Sequence, residues 1–478
     1  MRKSQTSVNL FPALKTVFMP MSGCVVSAIL LANAGCGPTS ESGARSEVNE
    51  TSVDSQLLGI ANSTKCRTVK KLSVKDCGAK GDGDTDDTEA IQKALNTDSK
   101  EIYFPLGIYR VKQPDEPDQD PKTTKLKPRP ALTSVLPGRR IFGEGVITAK
   151  GDFVHTVFYI TGDKTVFSLS CAGNKRISKF VHIHANDTLV TGSRITDLYS
   201  PKPPPTPPAP KTTPGESVRN RPTDVNGVRI TLDGLTGGAT VSGNYFSDLE
   251  SEGDGKGANG IGMSRAILIE ADRDIKAPII ISNNRINRVV GEEGDAINVI
   301  NSKVNSEGKN EFFSSNLLIE SNVVTDYSRR GIKIQTSGAR ILNNFIQNTW
   351  KEPQGTWTED KGNMQGAIDL VQGGDHLVVG NIINNCKFTS QIKVVEDATP
   401  VSNIKISSNV ITGLGNETAA HLIYVKTFGG SNVTISNNII RAPTYNKTAI
   451  AVIKSKNVFI HGNQIDIAAT GKPENISD

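Results

Sequence analysis

The chain has 478 residues, 54 basic and 49 acidic, and its formal net charge of +5 is too small and too dispersed for a nucleic-acid binder. Aromatics make up 5% and glycines number 44, which excludes a thick aromatic core and favours many tight turns between thin aliphatic layers. None of the six cysteines has the Cys/His spacing that a zinc site needs.

Residues 1–36 read as an export signal. Arg2, Lys3 and Lys15 supply positive charge, and the apolar run Val25 to Ala32 is too short to span a bilayer comfortably. Two endings compete. Ala32-Asn33-Ala34 fits a small-x-small cleavage site. Ala34-Gly35-Cys36 resembles the bacterial lipobox, which makes Cys36 the lipidated first residue, although Asn33 stands where that motif has an aliphatic residue. Residues 37–66 form a polar tether. The leader's cations account for three of the five net charges, so the mature chain permits a polyanionic substrate without demanding one. In an oxidising compartment Cys66 and Cys77 either close a small loop or remain buried thiols.

Residues 72–110 read as a strand, a Gly/Asp turn, a helix and a second strand. Thr85 or Asp86 caps the helix, and Ala90, Ile91, Ala94 and Leu95 form its apolar face. The acidic run Asp82, Asp84, Asp86, Asp87 lacks an EF-hand's glycine (Asp87 stands there) and its final glutamate (Lys93 stands there), so it reads as capping rather than a Ca²⁺ loop.

Further along, apolar–x–x–Asn–x–apolar recurs eight times. It begins at Val241-Ser-Gly-Asn244-Tyr-Phe246, continues at Asn284, Asn322, Asn344, Asn381, Asn409 and Asn438, and ends at Ile460-His-Gly-Asn463-Gln-Ile465. Such recurrence predicts stacked parallel strands with an internal amide ladder. The longer intervals carry insertions near 247–264, 301–314 and 347–365; a polyproline excursion lies near 201–220.

The run Gly78-Ala-Lys-Gly-Asp-Gly-Asp-Thr-Asp-Asp-Thr-Glu-Ala-Ile-Gln92 resembles the entry segment of the pectate-lyase-like superfamily of right-handed parallel β-helices, which includes polysaccharide lyases, pectin-active glycosidases and tailspikes. The ladder extends the resemblance to about residue 470. It implies an all-β chain, one single-stranded right-handed parallel β-helix over 67–470 with a short N-terminal capping helix and a tail at 471–478. It also implies a polysaccharide partner, and the tailspike members leave a trimer open. Cys77 replaces that family's usual aromatic, which points to pairing with Cys66.

Each coil carries a second strand of the form small–Ile–x–apolar, as in Ala296-Ile-Asn298-Val and Gly331-Ile-Lys333-Ile. Alternation points x outward. The outward column is Asn298, Lys333, Asp369, Lys393, Tyr424, Ala451, with Arg229 and Leu268 before it. Asp295 and Arg330 share a neighbouring register.

Two chemistries fit. In β-elimination at a uronic acid, Lys333 is the base, Arg330 neutralises the carboxylate or acts as acid, and Asp295 or Asp369 could hold Ca²⁺. The strand from Gly331 to Ser337 is similar to the base-bearing strand of alginate and chondroitin lyases of this fold, although Asp369 stands where a basic partner is expected. In hydrolysis, Asp295 and Asp369 flank the bond roughly 9–10 Å apart, as for inversion. The polygalacturonase, extracellular pectate-lyase and mannuronan-epimerase signatures are absent as sets. Trp350 and Trp357, on the third insertion, are expected sugar platforms, with Asn298 and Lys393 as further substrate contacts. His376 and His421 read as turn residues. The expected protein is an exported enzyme cleaving an extracellular or capsular polysaccharide; a non-catalytic glycan-binding surface protein is the different-class alternative. The bland reading of the charged column is a salt-bridged, solvated strand face.

Overall fold

The computed structural model describes residues 66–477 apart from 115–117, 120–125, 128, 152, 202–223, 253–261, 292, 307–309, 350–365, 385, 387–389, 396–400 and 414–420. The leader, Cys36, nearly all of the tether, the polyproline excursion, Trp350 and Trp357 lie outside the described residues.

The chain coils into a right-handed parallel β-helix, and one face positions the candidate site. Its strands are β1 (Leu132–Ser134), β2 (Val154–Ile160), β3 (Ile177–Ile183), β4 (Val225–Thr231), β5 (Met263–Ala271), β6 (Glu293–Val304), β7 (Arg330–Gln335), β8 (Ile368–Gln372), β9 (Ile392–Val395), β10 (His421–Lys426), β11 (Thr448–Ile453) and β12 (Lys472–Ser477). Each pairs in parallel with the next. Strand β12 falls within the expected tail. Its polar sequence conceals a further rung, because Ile476 pairs with Val452 on the inward side.

Side-chain alternation builds the core. Val181, Val228, Ile267, Ile297, Ile332, Ile368, Ile392, Ile423 and Ile450 stack in register and are fully buried. Burying each such side chain contributes about 1.5–3 kcal/mol, offset by ordering entropy. In the middle coils the residue preceding them is small (Gly227, Ala266, Ala296, Gly331, Ala367), and at Gly331 the coils approach closely: a Cβ there would fall 2.7 Å from the Ala367 carbonyl oxygen.

The remaining coil strands form a 25-stranded pairing network that carries the ladder. Each ladder Asn donates from Nδ2 to Oδ1 of the next at 2.9–3.0 Å, from Asn244 through Asn463. The same Oδ1 also accepts the preceding ladder residue's backbone N–H. The residue before every ladder Asn is left-handed: Gly243, Asn283, Ser321, Asn343, Gly380, Ser408, Asn437 and Gly462 have φ of 54–69°. That turn aims the amide inward, and it explains why the position holds only Gly, Asn or Ser.

Helix α1 (Thr88–Leu95) buries Ile91, Ala94 and Leu95 over the open N-terminal end. Asp86 Oδ1 accepts from the Thr88 backbone N–H at 3.0 Å. Asp87 instead ties down the glycine turn, accepting from Lys80 N and Gly81 N. Cys66 and Cys77 form a disulfide beside this cap.

Of the insertion expected at 247–264, residues 247–251 and 263–264 are strand. In that at 301–314, the described Asn310–Phe312 runs antiparallel to the end of β6.

Candidate active site

Two outward columns cross β6 and β7, and one of them continues onto β8. Asp295 is in register with Arg330, and Asn298 with Lys333, which in turn pairs with Asp369 and then Lys393. The strand period thus brings Asp295, Asn298, Arg330, Lys333 and Asp369 together. Lys393 lies one coil beyond Asp369. After it come Tyr424 and Ala451, with the His421 and Tyr424 rings stacked 5.1 Å apart. His376 is buried, its Nε2 3.0 Å from the Gly373 carbonyl oxygen, and serves its turn.

The columns are not a solvated face. Asp295 and Asn298 are 0% exposed, Asp369 1%, Arg330 5% and Lys333 7%. At that burial each charge must be matched by another.

Arg330 is the hub. Its Nε donates to Asp369 Oδ2 at 2.8 Å, and Nη1 to Asp295 Oδ1 at 3.2 Å. Its Nη2 makes no bond among the described residues. Burial alone would loosen the guanidinium's proton; Asp295, Asp369 and Glu293 reverse that and hold it more tightly than in a free arginine. Arg330 is therefore poorly suited to be an acid. The two carboxylates, expected to stand apart across a bond, converge on one guanidinium. Neither is a free ligand for Ca²⁺, and among the described residues no group of three or more His, Cys, Asp or Glu is arranged to hold a metal.

Lys333 is bound more loosely. Its Nζ lies 3.7 Å from Asp295 Oδ2 and 3.8 Å from Glu293 Oε1, both beyond hydrogen-bond length. Burial, followed by the Arg330 charge, pulls its pKa below the usual lysine value, while Glu293 and Asp295 pull the other way. Beside it, both amide atoms of Asn298 lack a partner among the described residues.

Sequence reading missed Glu293 and Arg265, and noted Arg329 only as a cation ahead of Lys333. Glu293 accepts from Arg329 Nη1 at 2.6 Å and from Arg265 Nη2 at 3.3 Å. Burial works against its charge, but Lys333, Arg265, Arg329 and Arg330 outweigh it and keep the carboxylate well below the ordinary glutamate range. The missed signal was the residue before the small one: Arg265-Ala-Ile repeats the pattern of Asp295-Ala-Ile and Arg330-Gly-Ile.

Residues 72–197 match a family model described as rhamnogalacturonase A/epimerase, pectate lyase-like. A 50-residue stretch is 54% identical to alginate lyase 7 of Azotobacter vinelandii; this spans 10% of the chain and only 6% of that relative. The solved surface adhesin PfbA of Streptococcus pneumoniae is similar over 85% of this chain and 93% of its own, with a TM-score of 0.55 and 17% identity. A second PfbA structure matches with a TM-score of 0.51 and 17% identity, over 85% of this chain and all of its own. These structural likenesses show the fold.

Proposed function

We propose that this chain, a member of the pectate-lyase-like superfamily of right-handed parallel β-helices, is a carbohydrate-active enzyme that cleaves a polysaccharide by β-elimination at a uronic acid. The observation that carries the reading is Lys333: a buried amine with a lowered pKa, one coil from Asn298 and beside a fixed cation, where among the described residues neither Lys333 nor the Asn298 amide has a hydrogen-bond partner.

In this mechanism the neutral Lys333 amine takes the proton on the carbon next to the uronate carboxylate. Arg330 Nη2 pairs with that carboxylate, without which the C–H is too weak an acid. The C–H electron pair becomes the new carbon–carbon double bond and the glycosidic C–O bond breaks. The departing oxygen takes a proton from water. Asp295 and Asp369 position Arg330, and Asn298 hydrogen-bonds the sugar. Hydrolysis by Asp295 and Asp369 is less well supported, because both carboxylates are engaged by Arg330.

The same reading places the enzyme outside the cytoplasm, anchored by lipid on Cys36, with extracellular or capsular polymers within reach. The Cys66–Cys77 disulfide supports an oxidising compartment. Labelling with a radioactive fatty acid, lost in Cys36→Ser, tests the anchor.

The central test incubates the mature protein with alginate, polygalacturonate, glycosaminoglycans and bacterial capsules, following ultraviolet absorbance and reducing ends together. A lyase raises both. Reducing ends without absorbance would transfer the chemistry to a hydrolase. Retention on a glycan array with neither signal would leave a binding protein.

A further inference from the structure

The same two columns continue N-terminally through polar side chains that the reaction at Lys333 does not use. In one, Lys179, Asn226 and Arg265 stand in register on β3, β4 and β5, ending against Asp295. In the other, His182, Arg229 and Leu268 lead to Asn298. Lys179, Arg229 and Arg265 are each 4% exposed, and Asn226 is 0% exposed.

Their bonding differs in a telling way. Arg229 is committed, its Nε donating to Glu270 Oε2 at 2.7 Å. Arg265 is half committed: Nη2 reaches Glu293 Oε2 and Met263 Sδ, while Nε has no partner among the described residues. Asn226 is uncommitted. Neither its amide oxygen nor its amide nitrogen has a partner there, and neither has the Oδ1 of nearby Asp224.

A buried amide with both ends unpaired works against the fold. Asn226 therefore gives the solenoid nothing that an aliphatic residue would not give better. Between two cations of its own column, it offers one donor and one acceptor to an anionic ligand that also carries hydroxyls. Burial draws the pKa of Lys179 down to about 8 against the opposing pull of Asp224, so an added anion would be welcome there. The row lies three strands from the strand of Lys333, roughly 14 Å along the axis. A sugar chain laid along the face would advance about one residue per coil.

We propose that Asn226, flanked by Lys179 and Arg265, is a second acidic-sugar site that grips a carboxylate of the same uronic-acid chain whose bond breaks at Lys333. This rests on the uronate reading of the Lys333 site, and direct binding separates the two.

The experiment titrates the full mature chain, and its Asn226→Leu and Asn226→Asp variants, with oligomannuronate and oligogalacturonate disaccharides and hexasaccharides. Cellohexaose is the uncharged control. The unaltered protein binds an acidic hexasaccharide about tenfold more tightly than the disaccharide, and cellohexaose not measurably. Asn226→Leu loses that advantage while its thermal midpoint stays level or rises, since an unpaired amide has been removed. Asn226→Asp keeps the size of the side chain and loses binding by repulsion, which covers the case of a misfolded leucine variant. Variants that keep the full hexasaccharide advantage overturn the second site and leave the Lys333 reading standing. An unaltered protein that binds no acidic oligosaccharide overturns both.

Discussion

Asp369 accepts a 2.8 Å hydrogen bond from Nε of Arg330, one coil earlier on the same face. The pair is buried, and its guanidinium is shared with Asp295 from the coil before. Three coils are thereby cross-linked through side chains as well as through their backbone ladders. An acid where a basic partner was expected is thus the partner that fixes the Arg330 guanidinium.

Breaking this contact should be costly. Asp369→Asn keeps the shape and removes the charge, leaving Arg330 with one carboxylate in a dry site. The expected loss is about 3 kcal/mol, read as a lower denaturant midpoint. An unchanged midpoint would mean that water already compensates Arg330.

Lyase turnover should rise with pH. In the proposed elimination the active form of Lys333 is the neutral amine, whose fraction grows as pH approaches its pKa. Because that pKa lies below the usual lysine value of 10.5, the rising limb of kcat/KM should level off below 10.5. Lys333→Arg keeps the charge but cannot supply a neutral base, and turnover should fall about 10²-fold or more. Lys333→Ala should abolish turnover while folding is spared. A flat pH profile would remove lysine from the base role.

Acid should destabilise the fold partly through His376. Burial, the first cause, lowers its pKa from 6.5 to about 4, against hydrogen bonds to Gly373 and Gln372. The folded value lies below the unfolded one. The contribution is therefore fully present above 6.5 and is lost as pH falls through 6.5 towards 4. His376→Asn should flatten the thermal midpoint over that window; an equal slope in both proteins would assign the effect to carboxylates such as Glu293.

The ladder should be costlier to break at its middle than at its end. Asn344 takes two bonds from Asn322 and donates to Asn381 and two backbone carbonyls. Asn344→Ala strands several buried groups and should cost about 3 kcal/mol or more. Asn463 is half-buried and has no ladder partner beyond it, so Asn463→Ala should cost about 1 kcal/mol. Thermal midpoints of the two variants compare them directly.

The solenoid was legible because both its periods are local. Six residues suffice to spell a ladder motif, and four suffice to place Lys333 outward and Ile332 inward. The columns followed, since identical coils stack at one register. The electrostatics did not follow. Outward on a strand suggests solvent, yet Asp295 and Asn298 are fully buried. Glu293 sits two residues before Asp295, off the repeated positions, and only three-dimensional neighbours reveal it as the acid that gathers Arg265, Arg329 and Lys333. The strand at 472–477 was hidden for the opposite reason: its sequence is polar, and only its pairing with β11 makes it a rung.

The asparagine ladder has one more consequence. Its neighbours are separated by as few as 22 and as many as 40 residues of chain, yet every link spans the same 2.9–3.0 Å. Contour length and physical length are thereby uncoupled. Sequence can accumulate between two links, as the 37 positions from Asn344 to Asn381 do, without stretching the rod. The rod itself can grow or shrink only in whole steps, because half a turn would leave an amide facing nothing. Chain can thus be added to this molecule by lateral insertion, while the spacing between successive coils stays set by one repeated side chain.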